Sequence, residues 1–224
     1  MSTTISLTIL EAEKPVAARL NLRNYIDRKR IFFFFKRIWD IVVSFLVILF
    51  IMSWLTPLIA LLIKLDSKGP VFFLQQRVGM AGMGFTCFKF RTMVVNPDAD
   101  KKQAERNDRR ITRFGRFLRR SNIDELPQFF NVLAGTMSLV GPRPHMYSDC
   151  AWFSSVIPGY KFRNMVKPGI TGLAQVRGYH GPVFTYECML KRYELDSFYI
   201  RNAGFVMDLG IVFKTIIRQL KNLG

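Results

Sequence analysis

The chain has 224 residues, of which half are hydrophobic, and 33 lysines and arginines against 16 aspartates and glutamates give it a formal net charge of +17. This length allows one modest globular core plus a membrane element, and little more. This large excess of positive charge predicts an anionic partner, either nucleic acid or a membrane surface. Cys87, Cys150 and Cys188 have no metal-ligand spacing, which argues against a zinc site and against a disulfide framework. A position facing the reducing cytosol is the simpler interpretation.

An apolar segment is the first predicted element. Residues 41–63 are 23 uncharged residues, which as a helix would rise about 35 Å and cross a bilayer core. The flanks argue against a simple crossing, because Lys36 and Arg37 precede the segment while Lys64 and Lys68 follow it. The positive-inside rule places both flanks in the cytoplasm.

Pro57 predicts a break in this helix. Proline cannot donate to the carbonyl of Ser53 and disfavours helical geometry at Thr56. The hydroxyls of Ser53 and Thr56 are placed to satisfy the freed backbone groups, which lipid would leave unpaired. A helix-break-helix hairpin that re-enters one leaflet and a kinked spanning helix both remain compatible with these residues.

Two short strands, 71–76 and 85–90, are predicted next, and the glycines between them indicate either a loose β-turn or amides that bind phosphate. Lys89 and Arg91 share one face of the second strand, as a solvated edge or as phosphate contacts. A polar loop over 96–108 then leads into a helix. Its basic stripe is either a solvated face or a contact for lipid phosphates or a nucleotide: Arg109, Arg113, Arg116 and Arg120.

Asp124 and Glu125 form an adjacent acid pair in an arginine-rich segment, either an ion-paired strut or a reactive centre. Neighbouring cations are expected to lower the pKa of both carboxyl groups and keep both ionised. Ser121 or Asn122 is predicted to cap a helix whose first turn holds the pair, where the dipole favours anions. Neighbouring carboxylates on a helix point about 100° apart, which argues against a glycosidase.

Two proline-containing loops follow. The loop 141–144 cannot be regular helix and presents Arg143 stiffly, either as a phosphate ligand or as a spectator on a surface turn. Residues 167–172 form a similar turn beside a strand-like segment, 173–176. His145 and His180 have no metal-ligand spacing and are interpreted as loop or packing histidines.

The C-terminal segment is a predicted amphipathic helix, with lysine and arginine on its polar face. It either packs on the core or lies in the membrane interface. Its apolar face consists of Phe205, Leu209, Val212, Phe213, Ile216 and Leu220.

Four short motifs occur in a fixed order: Phe88–Lys89–Phe90–Arg91–Thr92–Met93, Asp124–Glu125–Leu126–Pro127–Gln128, Ser138–Leu139–Val140–Gly141–Pro142–Arg143–Pro144 and Lys167–Pro168–Gly169–Ile170–Thr171–Gly172. Together they resemble the bacterial sugar transferase family, the monotopic polyprenyl-phosphate phosphoglycosyl transferases, in its small catalytic-core form. The resemblance covers roughly residues 31–217. Lys36–Arg37 followed by Asp40 is similar to the family's entry motif, and Thr56–Pro57 stands where the family has a Ser-Pro break.

This resemblance implies a membrane-associated α+β fold in three parts. They are an N-terminal basic arm (1–30), a re-entrant membrane hairpin (31–64) broken at Thr56–Pro57, and a catalytic domain (65–224) with a small β-hairpin and amphipathic interfacial helices. It also implies a place at the bacterial inner membrane, among membrane lipids, with the catalytic domain facing the cytoplasm. The oligomeric state stays open, a homodimer included.

The resemblance further implies transfer of a sugar 1-phosphate from a UDP-sugar to polyprenyl (undecaprenyl) phosphate with release of UMP, the first step of exopolysaccharide or O-antigen assembly. Asp124 is then the nucleophile that forms an aspartyl phosphosugar, and Glu125 its support. Mg²⁺ would be held by Asp124 and Glu125. The remaining substrate-binding candidates are Lys89, Arg91, Arg119, Arg143 and Asp196.

Two alternatives come from other classes of protein. A membrane-tethered nucleic-acid-binding protein would explain the charge, and its affinity would fall steeply with salt. A non-catalytic scaffold of a polysaccharide assembly complex would tolerate Asp124→Asn. Under the transferase interpretation no nucleic acid is expected as partner, and the sugar remains undetermined because sugar choice rests on a few hydroxyl contacts.

Overall fold

A computed structural model describes residues 29–96, 108–179, 181 and 185–223. Most of the predicted basic arm, most of the predicted loop over 96–108, and His180 lie outside these residues. Contacts divide the chain into two units, 1–39 and 40–224. In the described part of the first unit, residues 30–39 are helical and carry exposed aromatic side chains such as Phe34 and Phe35.

The apolar segment is helical throughout. Helix α1 (Arg30–Val47), a π-helical turn (Ile48–Met52) and helix α2 (Ser53–Asp66) follow one another without a gap. Together they make a 37-residue helix that is long and apolar enough to cross a membrane, because about 1.5 Å per residue gives about 55 Å against a bilayer core of about 30 Å.

The structure does not confirm a non-helical break at Thr56–Pro57, since Pro57 lies inside α2. Just upstream of the proline the hydrogen-bond register changes, since the amide of Ser53 donates five residues back, to Ile48, and the hydroxyl of Ser53 donates to the carbonyl of Leu49 (2.6 Å). The chain stays helical on both sides of this π-helical turn.

The predicted hairpin is confirmed. Strands β1 (Phe72–Val78) and β2 (Gly84–Phe90) pair in antiparallel fashion, from Phe72 opposite Phe90 to Val78 opposite Gly84. The connection contains a short 3₁₀ turn in which Ala81 (φ 57°) and Gly82 (φ 78°) adopt the left-handed conformation. Glycine takes this conformation without strain, which is why the sequence concentrates glycines here.

The other regular elements among the described residues are helices and a second two-stranded sheet, so the predicted α+β class is confirmed. The parallel strands β3 (Ser138–Val140) and β4 (Gly169–Thr171) form that sheet. The helices are α3 (Arg113–Arg120), α4 (Gln128–Ala134), α5 (Tyr147–Val156), α6 (Leu173–Val176), α7 (Tyr186–Asn202) and α8 (Phe205–Leu223), with 3₁₀ turns at Ile123–Glu125 and Tyr160–Met165. The strand-like interpretation of 173–176 was wrong, because the amide of Val176 bonds back to Gly172 and closes a helical turn.

Two apolar clusters hold the hairpin from opposite ends. In the first, Ile59 and Ile63 of α2 pack with Phe90 of β2 and Leu118 of α3. In the second, the far end of β1 packs on α5, on α7 and on the 3₁₀ turn Tyr160–Met165. The residues of this cluster are Val78, Cys150, Phe153, Ile157, Tyr160 and Met189. One end of the hairpin is therefore fixed to α2, and the other to the core.

The C-terminal helix α8 buries only a narrow strip, which includes Asp208 and Ile211. Most of its predicted apolar face stays exposed, with Phe213 at 64 % and Leu220 at 65 %. The helix therefore contacts the core through this strip and through the hydrogen bond between Thr215 and Thr171 (2.7 Å), while most of its predicted apolar face does not.

The close contact between Gly141 and the backbone of Lys167 gives a prediction about stability. A Cβ at Gly141 would overlap the carbonyl oxygen of Lys167 in the strand-to-strand contact, whereas a Cβ at Gly210 in α8 meets nothing within 4 Å. Gly141→Ala should destabilise the protein by about 1–3 kcal/mol through overpacking. Gly210→Ala should be neutral or slightly stabilising, because alanine is the better helix former. Thermal unfolding followed by circular dichroism measures both; equal midpoints for the two variants would contradict the close approach at Gly141.

Candidate active site

A cavity of about 390 Å³ opens on one face of the hairpin. Its walls come from β1, β2 and the residues that follow β2, from Arg119 and Asp124, from the loop after β3, and from α5 and α7. Among its lining side chains are two acids, Asp124 and Asp149, and six cations: Arg77, Lys89, Arg91, Arg119, Arg143 and Arg192. Such a cavity favours a ligand that carries several negative charges.

The acid pair lies in a 3₁₀ turn, not in the first turn of an α-helix. Asn122 precedes the turn in the left-handed conformation (φ 54°) and caps nothing with its side chain, while α4 begins only at Gln128. The predicted cap at Ser121 or Asn122 and the predicted effect of a helix dipole on the pair were therefore wrong. The chain reverses at Asn122, and this reversal presents the two carboxylates to β2 and to the loop after β3.

Glu125 is fully engaged by two cations. Its Oε1 accepts from Nζ of Lys89 (2.6 Å) and from one Nη of Arg143 (2.6 Å), and its Oε2 accepts from the other Nη of Arg143 (3.1 Å). Burial works to raise the pKa of Glu125, but Arg143 and Lys89 outweigh it and hold this pKa well below the usual range. Glu125 is therefore ionised at any physiological pH, as the sequence predicted.

Asp124, in contrast to Glu125, is buried without a cation of the described residues bound to its carboxylate. Its side chain is only 8 % exposed, and its carboxylate accepts no hydrogen bond from the residues that the structure describes. Burial and the charge of Glu125 raise the pKa of Asp124 to about 6, against the opposing effect of Lys89, Arg119 and Arg143. The predicted lowering of this pKa was wrong, because the neighbouring cations bind Glu125 and leave Asp124 desolvated. At pH 7 and above Asp124 is still mostly an anion, one with free lone pairs.

The two arginines predicted beside the dyad have different surroundings. Arg119 lines the cavity near Asp124, and its Nε donates to the hydroxyl of Thr92 (2.9 Å). Arg91 also lines the cavity, but its guanidinium donates to Ser67, Lys68 and Pro70, in the link between α2 and β1. Arg91 thus fixes this link, whereas Arg119 has donors left for a ligand.

Asp196 lies behind the cavity wall and does not line it. It is 2 % exposed and pairs with Arg163, whose Nε and Nη2 approach Oδ2 at 3.1 and 2.9 Å. The same Nη2 donates to the carbonyl oxygen of Arg143 (2.7 Å). The structure therefore brings Lys89, Arg119 and Arg143 to the dyad and gives Asp196 a place beneath the Arg143 loop.

Sequence reasoning missed Arg77, Arg163 and Arg192, which come from three separate segments. For Arg77 a signal existed, since it lies two residues from Gln75 and four from Phe73 and therefore on the cavity face of β1. No local pattern marks the other two. His145 is a packing histidine, as predicted, 3 % exposed and in ring contact with Phe153 and Tyr160, and it also lines the cavity.

The arginine stripe is exposed at each of its four positions, although α3 covers only the last three of them. A buried acid pair beside a cationic cavity, in a chain that also has a helix long and apolar enough to cross a membrane, favours an anionic ligand. The model of the bacterial sugar transferase family matches residues 31–222. The chain belongs to this family.

Curated relatives agree with this assignment. The chain is 50 % identical over 189 residues to the UDP-glucose:undecaprenyl-phosphate glucose-1-phosphate transferase of Klebsiella pneumoniae, covering 84 % of this chain and 40 % of the relative. It is 47 % identical to the protein of the same name from Caulobacter vibrioides (81 % and 68 %), and 42 % identical to the exopolysaccharide production protein PSS of Rhizobium leguminosarum (83 % and 94 %). The chain thus spans less than half of the Klebsiella protein. Neither a nucleic-acid-binding protein nor a scaffold receives support from these matches.

The raised pKa of Asp124 makes a prediction about stability. A carboxyl whose pKa is about 6 in the folded protein and about 4 when unfolded loses stability as pH rises through this window. Asp124→Asn removes this loss, so at pH 8 the variant should be more stable than the wild type by on the order of 2–3 kcal/mol. At pH 4 the difference should vanish. Thermal unfolding at the two pH values measures it, and a variant that is less stable at pH 8 would contradict the buried, unpaired carboxylate.

Proposed function

We propose that this protein transfers a sugar 1-phosphate from UDP-glucose, or a related UDP-sugar, to polyprenyl phosphate and releases UMP, which initiates the assembly of a bacterial glycan. One observation carries the proposal: Asp124 is buried and accepts no hydrogen bond from described residues, while Glu125 beside it takes two cations. A desolvated carboxylate with free lone pairs is an effective nucleophile. The names of the Klebsiella and Caulobacter relatives support the donor and the acceptor.

In the first step an oxygen of Asp124 attacks the phosphorus that carries the sugar. A bond forms between this oxygen and phosphorus, and the bond from the same phosphorus to UMP breaks, so that UMP leaves with the electron pair. In the second step an oxygen of polyprenyl phosphate attacks the same phosphorus and Asp124 leaves. Two anions must meet in each step, and the guanidinium of Arg119 and the cations held by Glu125 offset their repulsion.

The site also fits Mg²⁺, which commonly binds through one or two carboxylates plus phosphate oxygens and water. Asp124 would hold the ion, because its oxygens are free, whereas both oxygens of Glu125 are taken by Arg143. Among the described residues no group of three or more His, Cys, Asp or Glu could share an ion, so substrate phosphates would complete the coordination. Bound there, Mg²⁺ would neutralise charge on the diphosphate.

We further propose that the long helix re-enters the cytoplasmic leaflet of the bacterial inner membrane, and that α8 lies in the interface with its exposed apolar face towards lipid. The cationic flanks at both ends support the first point. The exposure of Phe213 and Leu220 opposite lysine and arginine supports the second. Both would keep the cavity close to a lipid-anchored acceptor.

The two-step mechanism predicts a burst. Wild-type protein incubated with UDP-glucose and Mg²⁺ but without acceptor should release about one UMP per active site and gain a sugar-phosphate mass on the peptide that carries Asp124. Asp124→Asn should abolish both, with turnover lower by on the order of 10⁴. Glu194→Gln is the matched control, since Glu194 is an exposed acid on α7 that pairs with Lys191 and does not line the cavity. UMP release that requires the acceptor, with no adduct on Asp124, would contradict a covalent intermediate and favour direct attack by the lipid.

The decrease of the reaction rate at low pH, the acid limb of the pH–rate profile, is predicted as well. Asp124 must be ionised to attack, so kcat/KM for the UDP-sugar should fall tenfold per pH unit below about 6, the pKa of Asp124. Glu125→Gln removes the second largest cause of the raised pKa and frees Lys89 and Arg143 to face Asp124. The acid limb of this variant should therefore shift to lower pH, whatever its maximal rate. A pH–rate profile of both proteins decides, and an unchanged limb would show that another group is titrating.

Topology is tested with single cysteines, in a background in which the three native cysteines are serines. The two test variants are Arg19→Cys, which precedes the long helix in sequence, and Lys68→Cys, which follows it. In the re-entrant arrangement both cysteines should be labelled only after the reagent is given access to the cytoplasmic side. Labelling of the Arg19 position from the periplasm in intact spheroplasts would establish a full span instead.

A further inference from the structure

Three buried polar atoms in the cavity wall have no hydrogen-bond partner within the part of the chain that the structure describes. They are Nε of Arg77, Nε of Arg192 and Nε2 of His145. All three residues line the cavity that holds Asp124. Buried polar groups are almost always paired, so three such atoms in one wall indicate a surface that a ligand completes.

These residues lie at the far end of the cavity. Lys89, which binds the dyad, pairs with Phe73 of β1, and Arg77 comes four residues later on the same strand, about 13 Å away at about 3.3 Å per residue. His145 belongs to the wall formed by Phe153 and Tyr160, in the core cluster remote from α2. Arg77 extends back along the strand, since its guanidinium donates to the side chain of Gln75.

The charge at this end favours an anion. The half-buried Arg77 and the buried Arg192 share the wall with Arg143, and desolvation lowers the pKa of both Arg77 and Arg192. The acids that act on Arg77 are Asp149 and Glu125, the second of which is bound by Lys89 and Arg143, and the acid that acts on Arg192 is the Arg163-bound Asp196. His145 adds a neutral imidazole, because burial keeps its pKa well below the usual range. Its Nδ1 lies 2.8 Å from the hydroxyl of Tyr160, and in the tautomer in which that hydroxyl donates to Nδ1, Nε2 carries the proton and can donate to an anion.

We propose that Arg77, Arg192 and His145 form a second phosphate subsite, which binds the nucleotide-side phosphate of the donor, the one that leaves in UMP. The inference rests on the proposed function. Its orientation follows from the two ends of the hairpin. The acceptor is anchored in lipid and approaches from the end that packs on α2, where Ile59 and Ile63 meet Phe90, so the soluble nucleotide takes the far end.

Equilibrium binding tests this assignment without any turnover. UMP and a short-chain polyprenyl phosphate are titrated into the full chain, reconstituted in nanodiscs, as wild type, Arg77→Gln and Arg192→Gln. Each substitution should weaken UMP by about 10- to 100-fold, the range for loss of a charge-assisted hydrogen bond, and leave the polyprenyl phosphate within twofold. Arg116→Gln is the control: it removes the same charge from an exposed position on α3 outside the cavity.

Each other outcome overturns the assignment. If the polyprenyl phosphate weakens and UMP does not, the subsite belongs to the acceptor; if neither weakens, the two arginines serve only the fold. Should the variants unfold, hydrogen exchange of the wild type decides, because UMP must then slow exchange in β1 and in residues 143–146, and no slowing there counts against the subsite. UMP affinity is independent of catalysis, so a protein that binds UMP in this way but forms no UMP from any of a panel of UDP-sugars would refute the proposed function alone.

Discussion

The arrangement of the whole site depends on one carboxylate, that of Glu125. It draws Lys89 from β2 and Arg143 from the loop after β3 to a single point, and so joins three segments that are far apart in sequence. An ion pair this buried does not stabilise a fold by much, since desolvation offsets most of the attraction, but loss of one partner leaves costly unpaired charges. This has a chemical consequence. Because Lys89 and Arg143 bind Glu125, they do not bind Asp124, whose carboxylate stays desolvated and open to an electrophile.

Further residues hold this arrangement from behind. Arg163 bridges the buried Asp196 and the backbone of Arg143, so the guanidinium that grips Glu125 is supported from beneath. Gly141 lets the chain before Arg143 touch the backbone at Lys167 and Gly169, which fixes where this loop leaves the parallel sheet. The arginine is therefore presented by a stiff loop, as its two flanking prolines indicated from sequence.

Sequence reasoning could predict what local patterns encode. The hairpin follows from alternation and glycines, and the importance of Asp124, Glu125, Arg119 and Arg143 from charge and motif. It could not predict which carboxylate the cations would bind, and so it gave the wrong direction for the pKa of Asp124. The helix continues through Pro57 although proline disfavours helical geometry, so the residue type alone did not decide the local structure there. The role of Asp196 depends on Arg163, 33 residues away along the chain, and Arg77 and Arg192 meet only in the folded protein.

The contacts of Arg91 have a consequence for the geometry of the proposed reaction. Because this side chain binds Ser67, Lys68 and Pro70, the short link between α2 and β1 is not a flexible tether but a rigid joint. In the proposed membrane arrangement, the height of Asp124 above the bilayer would then be a fixed property of the fold. Such a protein would select an acceptor by the depth of its phosphate in the membrane, because only a phosphate at the height of Asp124 could react. The number of isoprene units buried below that phosphate would then have little effect on the reaction.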